Sequence, residues 1–247
     1  MPEPRDLVEE LERSATLPEG ADERFRGYGV MAAPFASGHI LCMRRFPGTS
    51  LGSPYTAVWH RDPEGAWTIY SDVTPERSCP RYFGSALQDA PVREIDLRWT
   101  GPRAFSITML GEPSLEWQVS VASTTATRLM NLMSSLMPEP LWRNELVLRV
   151  MSGVAGIALR AGKLSLSGRA PNGQRFVANP KLIWTIPESR AVLAGRDLGP
   201  PGPVPAQARL GDFWIPQRGL FVIGGAYFEA FDETRHVTAT TRAAGAR

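Results

Sequence analysis

The sequence predicts a mainly β fold, an antiparallel barrel or two-sheet sandwich of calycin-like type with a helical pair inserted near its middle. Three observations predict it. Short strand-like segments cut by tight-turn signals run from Tyr55 to Asp72 and again from Leu159 to Asp232. Residues 115–122 alternate strictly, with Leu115, Trp117, Val119 and Val121 set against Glu116, Gln118 and Ser120. Between the strand-rich stretches the period lengthens, and Leu129, Met130, Leu132, Met133, Leu136 and Met137 fall on one helical face.

The elements follow in order. Leu7, Val8 and Leu11 give residues Glu3 to Ser14 the spacing of a short amphipathic helix. Strands begin with Gly38 to Phe46, stopped by Pro47-Gly48. Tyr55 to His60 and Trp67 to Asp72 flank a Pro/Gly turn at Arg61 to Gly65 and read as a hairpin. Val92 to Trp99 and Ala104 to Leu110 form a second hairpin. The helical pair covers Thr127 to Met137, ended by Pro138, and Leu141 to Ala161, ended by Gly162. Strands resume with Lys163 to Ala170 and Arg175 to Ala178 around Pro171-Asn172-Gly173, then Lys181 to Ile186 and Arg190 to Gly195. Residues 199–205 (GPPGPVP) read as a rigid loop. The expected organisation is a helix and lead-in over 1–24, one β-rich domain over 25–232 with the helical insert at about 127–161, and a flexible tail over 233–247.

Bulk properties narrow the function classes. The chain has 247 residues, 43% hydrophobic and 21% charged, enough apolar material for a sizeable core. A net charge of +2 argues against nucleic acid or an anionic membrane as a partner. Cys42 and Cys79 make neither a disulfide framework nor a zinc site. Met1 to Arg13 has no apolar signal-peptide core, and the apolar run Val150 to Leu159 is too short to span a bilayer. The expectation is a cytoplasmic protein without a membrane span.

Few residues carry chemistry. His39, His60 and His236 lack metal-ligand spacing, so no metal is expected, and no nucleotide or cofactor motif appears. His60 ends a strand beside Trp59 and is the candidate acid or base, against the ordinary reading of a polar hairpin end. Glu116 is the candidate carboxylate if its strand face points inward, and a solvated residue if it points outward. His236 lies in the polar tail and is expected to be solvated. Lys163 and Lys181 are the only lysines for Schiff-base chemistry, and both read as surface residues. The seven tryptophans are the remaining signal. Trp59, Trp67, Tyr70, Trp117, Trp184 and Trp214 form a candidate aromatic lining for a small apolar ligand, against the plain alternative of core filling.

The segment Trp59-His60-Arg61-Asp62-Pro63-Glu64-Gly65-Ala66-Trp67, with later strands running to Phe213-Trp214, resembles the lipocalin-like (calycin-type) barrels of the carotenoid hydratase-related group. That resemblance implies meandering strands around an apolar cavity. The helical insert departs from a simple lipocalin, and no catalytic residue is carried over. Two function classes follow. One is binding of a small apolar molecule in a barrel cavity, with or without cofactor-independent chemistry by His60 and Glu116. The other is a non-catalytic interaction protein whose Met/Leu-rich helices dock a partner or form a homodimer.

Overall fold

The computed structural model describes residues 2–237. Helix α1 (Pro4–Ser14) leads into strands β1 (Glu23–Pro34), β2 (Ile40–Thr49), β3 (Tyr55–Arg61) and β4 (Trp67–Ser71). The short helix α2 (Pro80–Phe83) precedes β5 (Ile95–Gly101), β6 (Ala104–Met109) and β7 (Leu115–Ala122). Helices α3 (Thr125–Leu136) and α4 (Glu145–Ala158) follow, joined through a 3-10 turn at Glu139–Arg143. The chain closes with β8 (Ser167–Arg169), β9 (Arg175–Leu193), β10 (Arg196–Asp197), β11 (Arg209–Leu210), β12 (Phe213–Trp214) and β13 (Leu220–Phe228).

One 11-stranded sheet dominates, in the order β4-β3-β2-β1-β13-β9-β7-β6-β5, with β8 and β10 paired onto β9. Its ladders are antiparallel. The sheet is curled. Bridges Thr68↔Asp89 and Ser71↔Val92 tie the run that enters β5 back onto β4, at the far end of the strand path.

The concave side is filled by side chains. Phe221 on β13 has ring centroids 6.1 Å from Tyr28 (β1), 6.0 Å from Trp99 (β5), 5.5 Å from Phe105 (β6) and 5.9 Å from Trp184 (β9). Strands separated by others in the sheet can meet this way only across a curled interior. Trp117 joins the same cluster and donates from Nε1 to Ser189 Oγ at 2.8 Å. Val8 and Leu11 of α1 are buried in this cluster as well. The convex side carries a second core, where Tyr55, Trp59 and Trp67 meet Tyr82 and Phe83 of α2 and Phe213 of β12.

Two departures from the sequence reading have physical causes. β1 was not expected, because it is buried on both faces along much of its length and contains Gly27 and Gly29, so no alternation shows. β9 is one strand of 19 residues where three segments were expected. Pro187 does not break it, since it sits in the register shift between Ser120 and Ala122 of β7, where no ladder N–H is needed.

The tail expected over 233–247 lies outside the described residues from 238 onward. His236 is buried, not solvated. Its Nδ1 accepts from Asp232 N at 2.9 Å, and its Nε2 lies 2.8 Å from Glu229 Oε1.

Trp117→Ala should destabilise the fold by about 3–5 kcal/mol, because it empties the interior and strips Ser189 of its partner. Urea unfolding checks this. A loss below about 1 kcal/mol would mean the interior is not packed as described.

Candidate functional site

The convex face of the sheet is bare of side chains where β1 meets its neighbours. Gly27 and Gly29 of β1 and Gly224 and Gly225 of β13 lie there. A Cβ at Gly29 would run into the Met43 carbonyl, and one at Gly224 into the Asn179 carbonyl, so these positions require glycine. The result is a floor made of backbone, with room above it.

Helices α3 and α4 form the opposite wall. Thr124 and Thr127 make a reciprocal capping box at the start of α3, and Asn144 accepts from Leu146 N and Val147 N at the start of α4. Asn131 fixes α3 to the sheet. Its Nδ2 donates to Ile183 O at 3.0 Å, and its Oδ1 accepts from Ile183 N at 2.8 Å. Ala155, Leu159 and Met130 pack on Ile183 and Leu220, while many of the helices' other apolar side chains turn away from the sheet. Leu136 is 74% exposed and Ile157 83%, while α3 buries Thr127 and Asn131.

Between floor and helices lies a cavity of about 670 Å³, a size suited to one small organic ligand. Its walls are almost wholly apolar, from Phe25, Phe46, Tyr55 and Trp59 on the sheet to Met130, Met133, Val150 and Met151 on the helices. Among the described lining residues there is no Asp, Glu, His or Lys, and Arg44 is the one charged group.

Arg44 is 7% exposed. Its Nη1 donates to the carbonyls of Val30 and Met43, and its Nη2 reaches Met31 O at 3.4 Å. Those carbonyls lie where the β1–β2 register shifts. The guanidinium also sits 5.0 Å from the Trp59 ring and 6.0 Å from Phe213. Burial pulls its pKa down, pushes the Cys42 thiol up to about 12, and raises Cys79 and Tyr55. The Tyr55 hydroxyl and Cys79 Sγ lie 3.5 Å apart, and the buried Trp59 Nε1 neighbours the same sulfur outside normal hydrogen-bond geometry.

The residues singled out in the sequence divide. Trp59 and Trp214 line the cavity. Trp117, Trp184 and Tyr70 belong to the filled interior, and Trp67 to the convex core. Trp117, Trp184, Tyr70 and Trp67 pack within these two cores and do not line the space between sheet and helices. His60 and Glu116 are not brought together. Glu116 is on β7, exposed on the solvent side of an alternating strand. His60, on β3, has Nε2 2.9 Å from His39 Nδ1, with the rings stacked at 5.2 Å. Lys163 Nζ lies 4.4 Å over the Trp214 ring, and Lys181 sits in β9; neither lines the cavity. Among the described residues no cluster of three or more His, Cys, Asp or Glu could hold a metal, and no helix is long and apolar enough to cross a membrane.

Sequence reading missed Arg44 and the glycine floor. A signal for both existed. Ile40, Cys42, Arg44 and Phe46 share one strand face, so Arg44 stands on an otherwise apolar row. Glycines inside strands mark close backbone approach or a ligand.

No family model matches the chain, and no curated protein matches it. Among solved structures it is similar to an acetoacetate decarboxylase from Legionella pneumophila, at 12% identity over 91% of this chain and 95% of that one, with a TM-score of 0.38. A likeness that loose transfers no residue and no activity.

The histidine pair generates a pH prediction. Burial, then the neighbouring His39, lowers the His60 pKa from 6.5 to about 4. The unfolded chain thus takes up a proton at His60 between about pH 6.5 and 4 that the folded chain refuses. This group's stabilising effect is complete above pH 6.5 and is lost as pH falls to 4. His60→Gln should lose about 2–3 kcal/mol less over that interval than the native chain, read by urea unfolding at stepped pH. An identical slope in both proteins would contradict the half-buried neutral pair.

Proposed function

We propose that this protein binds one small apolar molecule between the convex face of its sheet and helices α3 and α4. The observation that carries the reading is the cavity of about 670 Å³ with its apolar walls and glycine floor. Apolar surface is left uncovered on both sides of that space, and a ligand filling it would remove both from water. The sheet is curled and antiparallel, as the lipocalin-like resemblance implied, but the pocket argued for lies outside the curl. Hydration chemistry is not part of this reading, since no histidine or carboxylate faces the cavity among its described lining residues.

A second reading rests on the exposed row Leu132, Met133, Leu136, Val150, Val154 and Ile157. An apolar patch of this kind suits a second copy of this chain as well as a ligand. Light scattering separates the two, because a homodimer dissociates on dilution while ligand uptake leaves the mass unchanged.

Nile red, a neutral apolar dye, should bind at one equivalent with a blue-shifted emission. Val222→Trp, which places an indole on the cavity floor, should weaken that binding at least about tenfold while the protein stays folded by circular dichroism. Undiminished dye binding in this variant would place the ligand elsewhere.

A further inference from the structure

We propose that the molecule held in this cavity is an apolar carboxylate whose head group pairs with Arg44. The inference rests on the cavity reading above and adds the chemistry of its ligand.

The argument begins from charge. A guanidinium moved from water into an apolar site carries a large desolvation cost unless an opposite charge meets it. Among the described residues no carboxylate forms an ion pair with Arg44. The ionisable groups acting on it are Cys42, Cys79 and Tyr55. Burial drives all of these toward their neutral forms, so none supplies a negative charge near neutral pH. The backbone carbonyls of Val30, Met31 and Met43 compensate in part, through Nη1 and Nη2. They leave the Nε–H and one Nη2–H without a protein acceptor, and a planar guanidinium binds carboxylates through paired N–H groups of this kind.

A second under-satisfied donor stands in the same wall. Trp59 is 2% exposed, lines the cavity and packs its ring against the Arg44 guanidinium, and its Nε1–H, outside normal hydrogen-bond geometry, has only the weakly accepting Cys79 sulfur as a neighbour. A buried cation with N–H groups left over from its carbonyl partners, beside a buried indole N–H with only a thiol as neighbour, defines an anion-accepting corner. The rest of the lining is apolar and extends to the helices, which suits a hydrocarbon tail. A single positive charge matches a single carboxylate.

The test is calorimetric titration of the full chain with sodium dodecanoate and with 1-dodecanol, which share a tail and differ in the head. Dodecanoate should bind at least about tenfold more tightly, as expected for a charge-assisted pair in a dry site. In Arg44→Met that preference should vanish while Nile red still binds. Should Arg44→Met fail to fold, the comparison of the two ligands on the native chain still decides. Equal affinity for both ligands overturns the carboxylate assignment and leaves the cavity reading standing, with Arg44 serving only the carbonyls of the register shift. A preference retained in Arg44→Met overturns the role of this residue. Binding of neither ligand, with no uptake of Nile red, overturns this proposal and the cavity reading together.

Discussion

Phe221 meets rings from β1, β5, β6 and β9, and that convergence holds the curl of the sheet. Aromatic rings at these separations contribute beyond the area they bury, and here they also bridge strands that are not neighbours in the sheet. Trp117 and Trp184 fill much of the remaining interior, and the space left on that side is a polar-rimmed recess beside α1, where Glu12, Arg45 and Asp72 join Tyr28 and Trp99. The consequence reaches the other face. The larger apolar space lies on the convex side, where β1 and β13 present backbone glycines and the neighbouring strands a row of apolar residues.

That convex side is covered by a helix pair attached through an apolar cluster, Ala155 and Leu159 against Ile183 and Leu220, and through polar contacts. Asn131 supplies a donor and an acceptor to the same residue, Ile183, completing the backbone hydrogen bonding of β9 in place of a neighbouring strand. Ser152 similarly accepts from Leu166 N while donating to Leu148 O. Pairings of this type fix position by geometry, since a displaced Asn131 would leave the Ile183 amide and carbonyl unsatisfied. The helices are thus located by a few directional bonds and one small apolar cluster, and most of their remaining apolar side chains are left to the cavity and its mouth.

Much of the fold was legible in the sequence. The hairpins of β3–β4 and β5–β6, the alternating β7, and the switch to helical period at α3 all follow from local pattern and turn chemistry. β1 escaped because burial on both faces erases alternation, and β9 was divided because Pro187 reads as a break wherever the ladder is unknown. The site was less legible. Trp59 and Trp214 carry the right residue type, yet so do Trp117 and Trp184, and only the direction of curl distinguishes lining from filling. His60 stood out for its chemistry, but its partner is His39, 21 residues earlier and across one strand pair, a register that sequence alone does not fix. Arg44 was passed over because an arginine in a strand ordinarily faces water, and the row Ile40, Cys42, Phe46 carried the contrary sign.

The glycine floor constrains how the cavity can diversify. Its depth on the sheet side is set by main chain lying against main chain, and at Gly29 and Gly224 even a methyl group has nowhere to go. Point substitution there cannot trim or enlarge the space in small steps. Adjustment of ligand size falls to the helical wall, where Met130, Met133 and Met151 are flexible and replaceable. The two walls therefore differ in what substitution can do to them, one fixed because it is backbone, the other adjustable side chain by side chain.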